Sequence, residues 1–335
     1  MLWPRRKAIF NRQVQFRSGS EHFIVRHVLI TGAGGFVGSR LARRVLNDDR
    51  YSGVEVTLLD RMLPSPPPTH ARAVVGDIAD PAIRRTAIGD GVDLVFHLAG
   101  ILGGAAEANY PLSRRVNIDA TLSLLEEISN EDAPARFVFA SSIAVYGAPL
   151  PPIIDDNVWP HPTMHYGAQK LMIEVALDQF SRRGKVDGLA IRLPGIVARK
   201  DADARQRAAF LNLIFHAFAR GEDFTLPVSP EGTTWLLSVP ACIEAFLHAG
   251  AIPTGRIGDQ RAFNLPAQNV RVAALIDALR ARFPRSPSRI TYAPDRALIA
   301  QFTSQPPQVA QVGQALGFRH DGDLATLVAN AFVDD

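Results

Sequence analysis

The chain has 335 residues, 47% of them hydrophobic and 21% charged, an ordinary globular composition with length enough for one large domain and a smaller one. A formal net charge of +3 is too small to point to nucleic acid, and no run reaches the roughly 18 apolar residues of a membrane span. The single cysteine, Cys242, excludes an intramolecular disulfide and suits a reducing cytoplasm; in the apolar stretch PACIEAFLHAG it reads as a buried thiol rather than a nucleophile.

Residues 1–26 carry six arginines and lysines and one acid without the apolar core of a secretory signal. They read as a basic tail, expected to be disordered; an organellar transit peptide is the other reading. From Arg26 the pattern changes. HVLITG is a short apolar run followed at once by glycines, and FVGSRLARRVL has the three-and-four spacing of a helix. VEVTLLD, ARAVVGD and DLVFHLAG read as further strands. A single long helix is expected over 112–129. RFVFASS is a fifth strand, YGAQK opens a helix, and GLAIRLPG is a sixth strand. Strands alternating with helices predict parallel βαβ units, and continuous apolar strands predict helices on both faces. The expected fold class is therefore α/β: a doubly wound parallel Rossmann sheet over 27–195, with a smaller C-terminal cap over 196–335 interleaved with the last strands of the main sheet. In the cap, RAAFLNLIFHAFARG, ACIEAFLHAGAI, VRVAALIDALRARF and LATLVANAFVD read as helices, and TWLLSV, RAFNLPA and RITYAP as strands.

The loop TGAGGFVG places Gly32, Gly35 and Gly38 between a strand and a helix, the context a phosphate-binding loop requires. Gly32 permits the tight turn, Gly35 the approach of a pyrophosphate, and Gly38 close packing of helix on strand. The helix start, with Phe36 and Val37, offers free N–H groups to phosphate. Asp60 ends the second strand, where a carboxylate can accept both ribose hydroxyls and repel a 2′-phosphate; it favours NAD over NADP, although Arg61 beside it could meet a phosphate. Asp77, followed by Ile78, could accept from an adenine amino group or cap the next helix, a role Asp80 fits better.

Tyr166 and Lys170 leave one face of a helix one turn apart. An ammonium beside a phenol favours the phenolate and makes a general base; the bland alternative is a packed tyrosine and a solvated lysine. Ser142 lies at the carboxyl edge of the sheet, where ligands bind in open α/β folds. Serine, phenol and ammonium together, behind the glycine loop, form the candidate catalytic set. His97 reads as a satisfied core histidine, and His165 as either packing or substrate contact. No group of His, Cys and acids has metal-ligand spacing.

In order, TGAGGFVG, DLVFHLAG, SSIAVYG, YGAQK and IRLPGIV resemble the extended short-chain dehydrogenases, the NAD-dependent epimerase/dehydratase family, from about His27 to the C-terminus. The resemblance implies an oxidoreductase or epimerase with NAD as cofactor. Tyr166 would be the acid/base, Lys170 would lower its pKa and hold the nicotinamide ribose, and Ser142 would bond the reacting oxygen. Leu98, Ala99 and Gly100 would pass under the cofactor. Pro194, Ile196 and Val197 would border the nicotinamide, and Asn117 would tether the active-site helix or a water. It also implies a homodimer.

Within the family, VTLLD, GDIADP, PVSPEGTTWLLSV and FNLPA look most like a branch that oxidises four-carbon sugar acids at C2. There Trp235 is preceded by Thr234, where nucleotide-sugar enzymes carry an arginine, which argues against a nucleotide diphosphate substrate. Arg199, Lys200 and Trp235 join Ser142 and Tyr166 as candidates to meet a small sugar-acid substrate, Arg199 and Lys200 through its carboxylate. A nucleotide-sugar epimerase or dehydratase is the alternative on this fold, and a non-catalytic NAD(P) sensor the alternative of another class.

Overall fold

The computed structural model describes residues 14–18, 21–64, 66–129, 134–199 and 208–333. Two strands, β1 (Val14–Ser18) and β2 (Glu21–Val25), pair antiparallel, where the sequence reading expected an unstructured tail. Backbone pairing rather than an apolar pattern defines these strands.

The main unit alternates as its apolar runs dictate. β3 (His27–Thr31) leads into α1 (Phe36–Leu46), β4 (Glu55–Asp60) and β5 (Ala71–Val75). α2 (Pro81–Ile88) has Pro81 in its first turn, and Asp80 Oδ1 caps it by accepting the Ala82 N–H at 2.8 Å, as expected of an aspartate before a helix. β6 (Leu94–His97) precedes α3 (Gly103–Ala108) and α4 (Tyr110–Arg114). A π turn, Arg115–Asp119, then separates α4 from α5 (Ala120–Ile128). The helix expected over 112–129 is thus interrupted at Asn117, whose side chain is drawn out to neighbouring segments. β7 (Ala135–Ser142), α6 (His165–Arg182) and β8 (Val186–Leu193) complete the unit.

Beyond it come β9 (Gly195–Val197), α7 (Phe210–Arg220), β10 (Phe224–Leu226), β11 (Thr233–Ser238) and α8 (Val239–Ala251). These are followed by β12 (Ala262–Asn264), β13 (Gln268–Arg271), α9 (Val272–Arg282) and β14 (Ile290–Tyr292). The chain closes with α10 (Arg296–Phe302), α11 (Gln311–Ala315) and α12 (Leu324–Asn330). Among the described residues no helix is long and apolar enough to cross a membrane.

The central sheet has seven strands in the order β12-β8-β7-β6-β3-β4-β5, all parallel. From β3 the chain winds one way to β5, and from β6 the other way to β8 and β12. The direction reverses between β3 and β6, so a crevice opens at their carboxyl ends. Each face carries its own core. Leu41, Val45, Phe246 and Leu247 lie under α1 and α8 on one side, and Leu124, Ile128, Ile173 and Leu177 under α5 and α6 on the other. A third core, including Ile214, Phe215, Leu236, Leu275 and Leu327, joins α7, α9 and α12 to the small sheet β13-β11-β9. β12 and α8 pack with the main sheet although they come late in the chain. Pro194–Val197 is the passage from β8 into the small sheet.

Candidate active site

The glycine loop sits at the switch point. Gly32 turns out of β3 with φ +71°, and a Cβ there would lie 2.6 Å from the Ala99 nitrogen. The loops after β3 and β6 therefore touch, which brings Leu98, Ala99 and Gly100 against the glycines. A Cβ on Gly38 would lie 2.1 Å from the Gly32 carbonyl, so α1 can approach β3 this closely only without one. Gly34 and Gly35 are exposed, and a Cβ on Gly35 would meet only the Gly32 oxygen, at 3.2 Å. That leaves an open cradle at the start of α1, where no side chain caps the helix and no acid lies in the first turn. Free N–H groups and a positive helix end fit a pyrophosphate. Phe36 and Val37 occupy this first turn, half-buried, and the Arg40 guanidinium lies over the Phe36 ring at 4.6 Å.

Asp60 is fixed at the rim. Its Oδ2 accepts the Gly34 N–H at 2.9 Å and its Oδ1 the Met62 N–H at 3.2 Å. The lone pairs left over can accept ribose hydroxyls. Asp77 is engaged otherwise than the sequence suggests: Oδ2 takes Arg115 Nη2 at 2.7 Å and Oδ1 the Ala79 N–H at 2.9 Å. Ile78 beside it is buried.

Asn117 explains the π turn. Oδ1 accepts the Ile101 N–H at 2.7 Å, while Nδ2 donates to the Ile101 carbonyl at 3.0 Å and to Gln169 Oε1 at 2.7 Å. Gln169 Nε2 in turn donates to Ser113 Oγ at 2.9 Å. A side chain pulled from the helix ladder to satisfy neighbours is a known cause of such irregularity. The tether joins the loop after Gly100 to α6, next to Lys170.

Lys170 is buried at 4% exposure. Its Nζ donates to the Ala140 carbonyl at 2.7 Å and lies 4.5 Å from the Phe139 ring centroid and 5.7 Å from that of Tyr166. Burial pushes the ammonium down to about 8, with Glu174 opposing. Tyr166, half-buried, has its N–H on Glu107 Oε1 at 3.1 Å. Burial pushes its phenol up to about 12, and a hydrogen bond with Ser142 works the other way. The phenol lowered by its neighbour, expected from the YGAQK spacing, is not found: burial outweighs Ser142 and raises it, and the Lys170 ammonium donates to the Ala140 carbonyl. Ser142 lies next to the Tyr166 phenol at the carboxyl edge of β7, and its Oγ accepts the Ala144 N–H at 3.1 Å.

Other candidates separate cleanly. His97 Nδ1 meets Thr31 Oγ1 at 2.8 Å and Nε2 meets Thr121 Oγ1 at 2.9 Å. Burial, helped by Lys170, holds it down to about 3, so it is a neutral core residue. The His165 ring packs tilted against Tyr110, with 4.6 Å between ring centroids. Cys242 is fully buried and its thiol is raised by burial. Trp235, a candidate substrate residue, is 1% exposed and donates its indole N–H to the Pro306 carbonyl at 2.7 Å; its donor is already used. The Arg199 backbone N–H donates to Asn212 Oδ1 at 2.7 Å, and Lys200 lies outside the described residues. Pro194 and Val197 are buried and Ile196 half-buried where the chain enters the small sheet.

One signal in the sequence was passed over. Of 36 basic residues only four are lysines, at positions 7, 170, 185 and 200. A chain that otherwise uses arginine places a compact, titratable ammonium at this buried position, and the two cations are not interchangeable there.

The NAD dependent epimerase/dehydratase family matches residues 28–251, from β3 to the end of α8. A D-erythronate dehydrogenase from Cupriavidus necator is 36% identical over 92% of this chain and 98% of its own length. One from Haemophilus influenzae is 30% identical, over 90% and 97%. Among solved structures, a nucleoside-diphosphate-sugar epimerase from Agrobacterium tumefaciens superposes with a TM-score of 0.83 at 29% identity, covering 93% of this chain and 95% of its own. With this dinucleotide cradle and relatives matched over nearly their whole length, the chain is an NAD-dependent dehydrogenase. Its glycine loop, parallel sheet and matched span together establish that it belongs to the NAD-dependent epimerase/dehydratase family.

Proposed function

We propose that the protein oxidises a small sugar acid at C2, with D-erythronate as substrate and 2-oxo-D-erythronate as product. What supports this reading is the placement of the Tyr166 phenol next to Ser142, which favours its phenolate, and next to Lys170, beside the dinucleotide cradle. The names of the two sugar-acid relatives supply the substrate class. NAD, when bound, supplies the acceptor for the hydride that leaves C2. Gly32, Gly35 and the start of α1 would hold its pyrophosphate, Asp60 its adenosine ribose, and Lys170 the ribose nearer the chemistry. Ser142 would bond the C2 oxygen and orient it toward Tyr166. The phenolate form of Tyr166 would take the hydroxyl proton as the carbonyl forms. Lys170, charged below about pH 8, favours that phenolate by its field.

Purified protein with NAD and D-erythronate should produce NADH absorbance at a higher kcat/KM than with five- or six-carbon sugar acids. Absence of NADH with D-erythronate, while other aldonates react, would refute the substrate assignment. Interconversion of sugar nucleotides without net NADH would instead establish the epimerase alternative.

Asp60 makes a separate expectation. Asp60→Ala removes the ribose acceptor and both loop hydrogen bonds, and charge-assisted bonds contribute ~1.5–3 kcal/mol each. The ratio of kcat/KM for NAD over NADP should fall by about tenfold or more, read by assaying both cofactors at saturating sugar acid. An unchanged ratio would mean that Asp60 does not select the cofactor.

A further inference from the structure

Behind Ser142, Tyr166 and Lys170 runs a buried polar chain that the reaction above does not use. Glu174, one helical turn beyond Lys170 on α6, is 4% exposed. Arg192 on β8 grips its carboxylate side-on, Nε to Oε1 at 3.1 Å and Nη2 to Oε2 at 2.8 Å. The same Oε1 accepts the hydroxyl of Ser141, the residue before Ser142. Arg192 Nη1 donates to Tyr146 Oη at 2.8 Å, and the Tyr146 hydroxyl donates to Asn264 Oδ1 at 2.9 Å. The chain thus ties the end of β7 and the loop after it to α6, to β8 and to the edge strand β12.

Packing does not account for these ions. A buried pair replaced by apolar side chains of like volume is often neutral or stabilising. The surroundings of Lys170 point to another purpose. Against its Nζ, β7 presents only the Ala140 carbonyl and the Phe139 ring, and β6 presents His97, which is neutral. The π turn presents the uncharged Asn117, and α6 itself presents Tyr166 and Glu174. Glu174 is the one carboxylate of this set, and Arg192 reaches the set through it.

We propose that Glu174 is a positioning residue of the active site: its carboxylate locks the Ser141–Ser142 strand end against α6 and keeps Lys170 an ammonium at neutral pH. The proposal rests on the Ser142–Tyr166–Lys170 reading of the site. Glu174 opposes the burial that pulls Lys170 down to about 8. Removing its charge lets the lysine lose its proton earlier, at a pH where the phenol still needs a neighbouring cation.

The test is a pH titration of 13C-labelled lysine side chains by NMR, practicable because the chain has four lysines. Loss of one signal in Lys170→Met assigns that residue. In Glu174→Gln the Lys170 midpoint should fall by about one pH unit, with Lys185 unmoved. Should Glu174→Gln fail to fold around the remaining guanidinium, the double variant Glu174→Gln with Arg192→Met removes both ions and should show a smaller fall in the same direction. A Lys170 midpoint unmoved in a folded variant overturns the proposal. That failure is distinct from failure of the underlying reading, which would appear as full turnover in Tyr166→Phe and needs no lysine titration.

Discussion

Tyr166→Phe should lower kcat for sugar-acid oxidation by ~10²–10⁴-fold, the usual worth of a positioned general base, while leaving NADH binding intact. The ring stays and only the hydroxyl goes. Ser142 keeps its bond from the Ala144 N–H, Lys170 keeps Ala140, and the glycine cradle lies on other segments. Fluorescence titration with NADH should therefore give a Kd within about twofold of the parent, each tenfold in Kd being ~1.4 kcal/mol. Retention of more than a tenth of the parent kcat would rule the phenol out as the base. The pH profile carries the sign. In the proposed reaction the phenolate takes the proton, and burial raises the phenol to about 12. Turnover should climb with pH from 6 upward, approaching a decade per unit, and flatten above about 8, where Lys170 loses its charge. In Tyr166→Phe the climb should disappear.

What could be read from sequence was whatever depends on local pattern. The glycine loop needs a strand before it and a helix after it, and both were visible, as a short continuous apolar run and as a period of three to four. Asp80 as the cap of α2 needed only its neighbours Pro81 and Ala82. What could not be read depends on partners distant in the chain. The π turn at Asn117 exists because Ile101 and Gln169 claim its side chain, and no period announces that. Trp235 looked like a substrate contact from its place in TTWLLS, yet Pro306, 71 residues on, takes its indole N–H. The short strands β9, β10 and β13 have three or four residues each, too few for any periodicity. Tyr166 is instructive in another way. Its location was legible from spacing, but its ionisation was not, because burial is a property of the assembled cleft.

Asp187→Ala should destabilise the fold by ~3–5 kcal/mol, the loss expected when a buried cation is deprived of its carboxylate, and leave the chemistry of the folded protein unchanged. The reason lies in the two edges of the sheet. The proposed chemistry lies at the carboxyl ends of β3, β6 and β7. Asp187 is the second residue of β8, at its amino end, directly opposite Arg136 in the register of β7. Arg136 is 2% exposed and its Nε donates to Asp187 Oδ2 at 3.0 Å, while Arg261, just before β12, donates to Oδ1 at 2.8 Å. Thr254, beyond α8, donates its hydroxyl to the same carboxylate. One acid therefore fastens β7, β8, the approach to β12 and the segment after α8. Burial raises the Asp187 carboxyl, but Arg136, Thr254 and Arg261 together outweigh it and hold it below 3.8. A carboxyl lowered in the folded state contributes stability that is full above its unfolded pKa and lost as the pH falls through the folded one. The gap between parent and Asp187→Ala should accordingly be complete at pH 7 and close only below about pH 4. Thermal unfolding at pH 7 should show Tm lower by on the order of 5–10 °C, with kcat at 20 °C within about twofold of the parent. If kcat fell with Tm unchanged, the amino edge would be part of the catalytic machinery, and the division between a binding edge and a holding edge would be wrong.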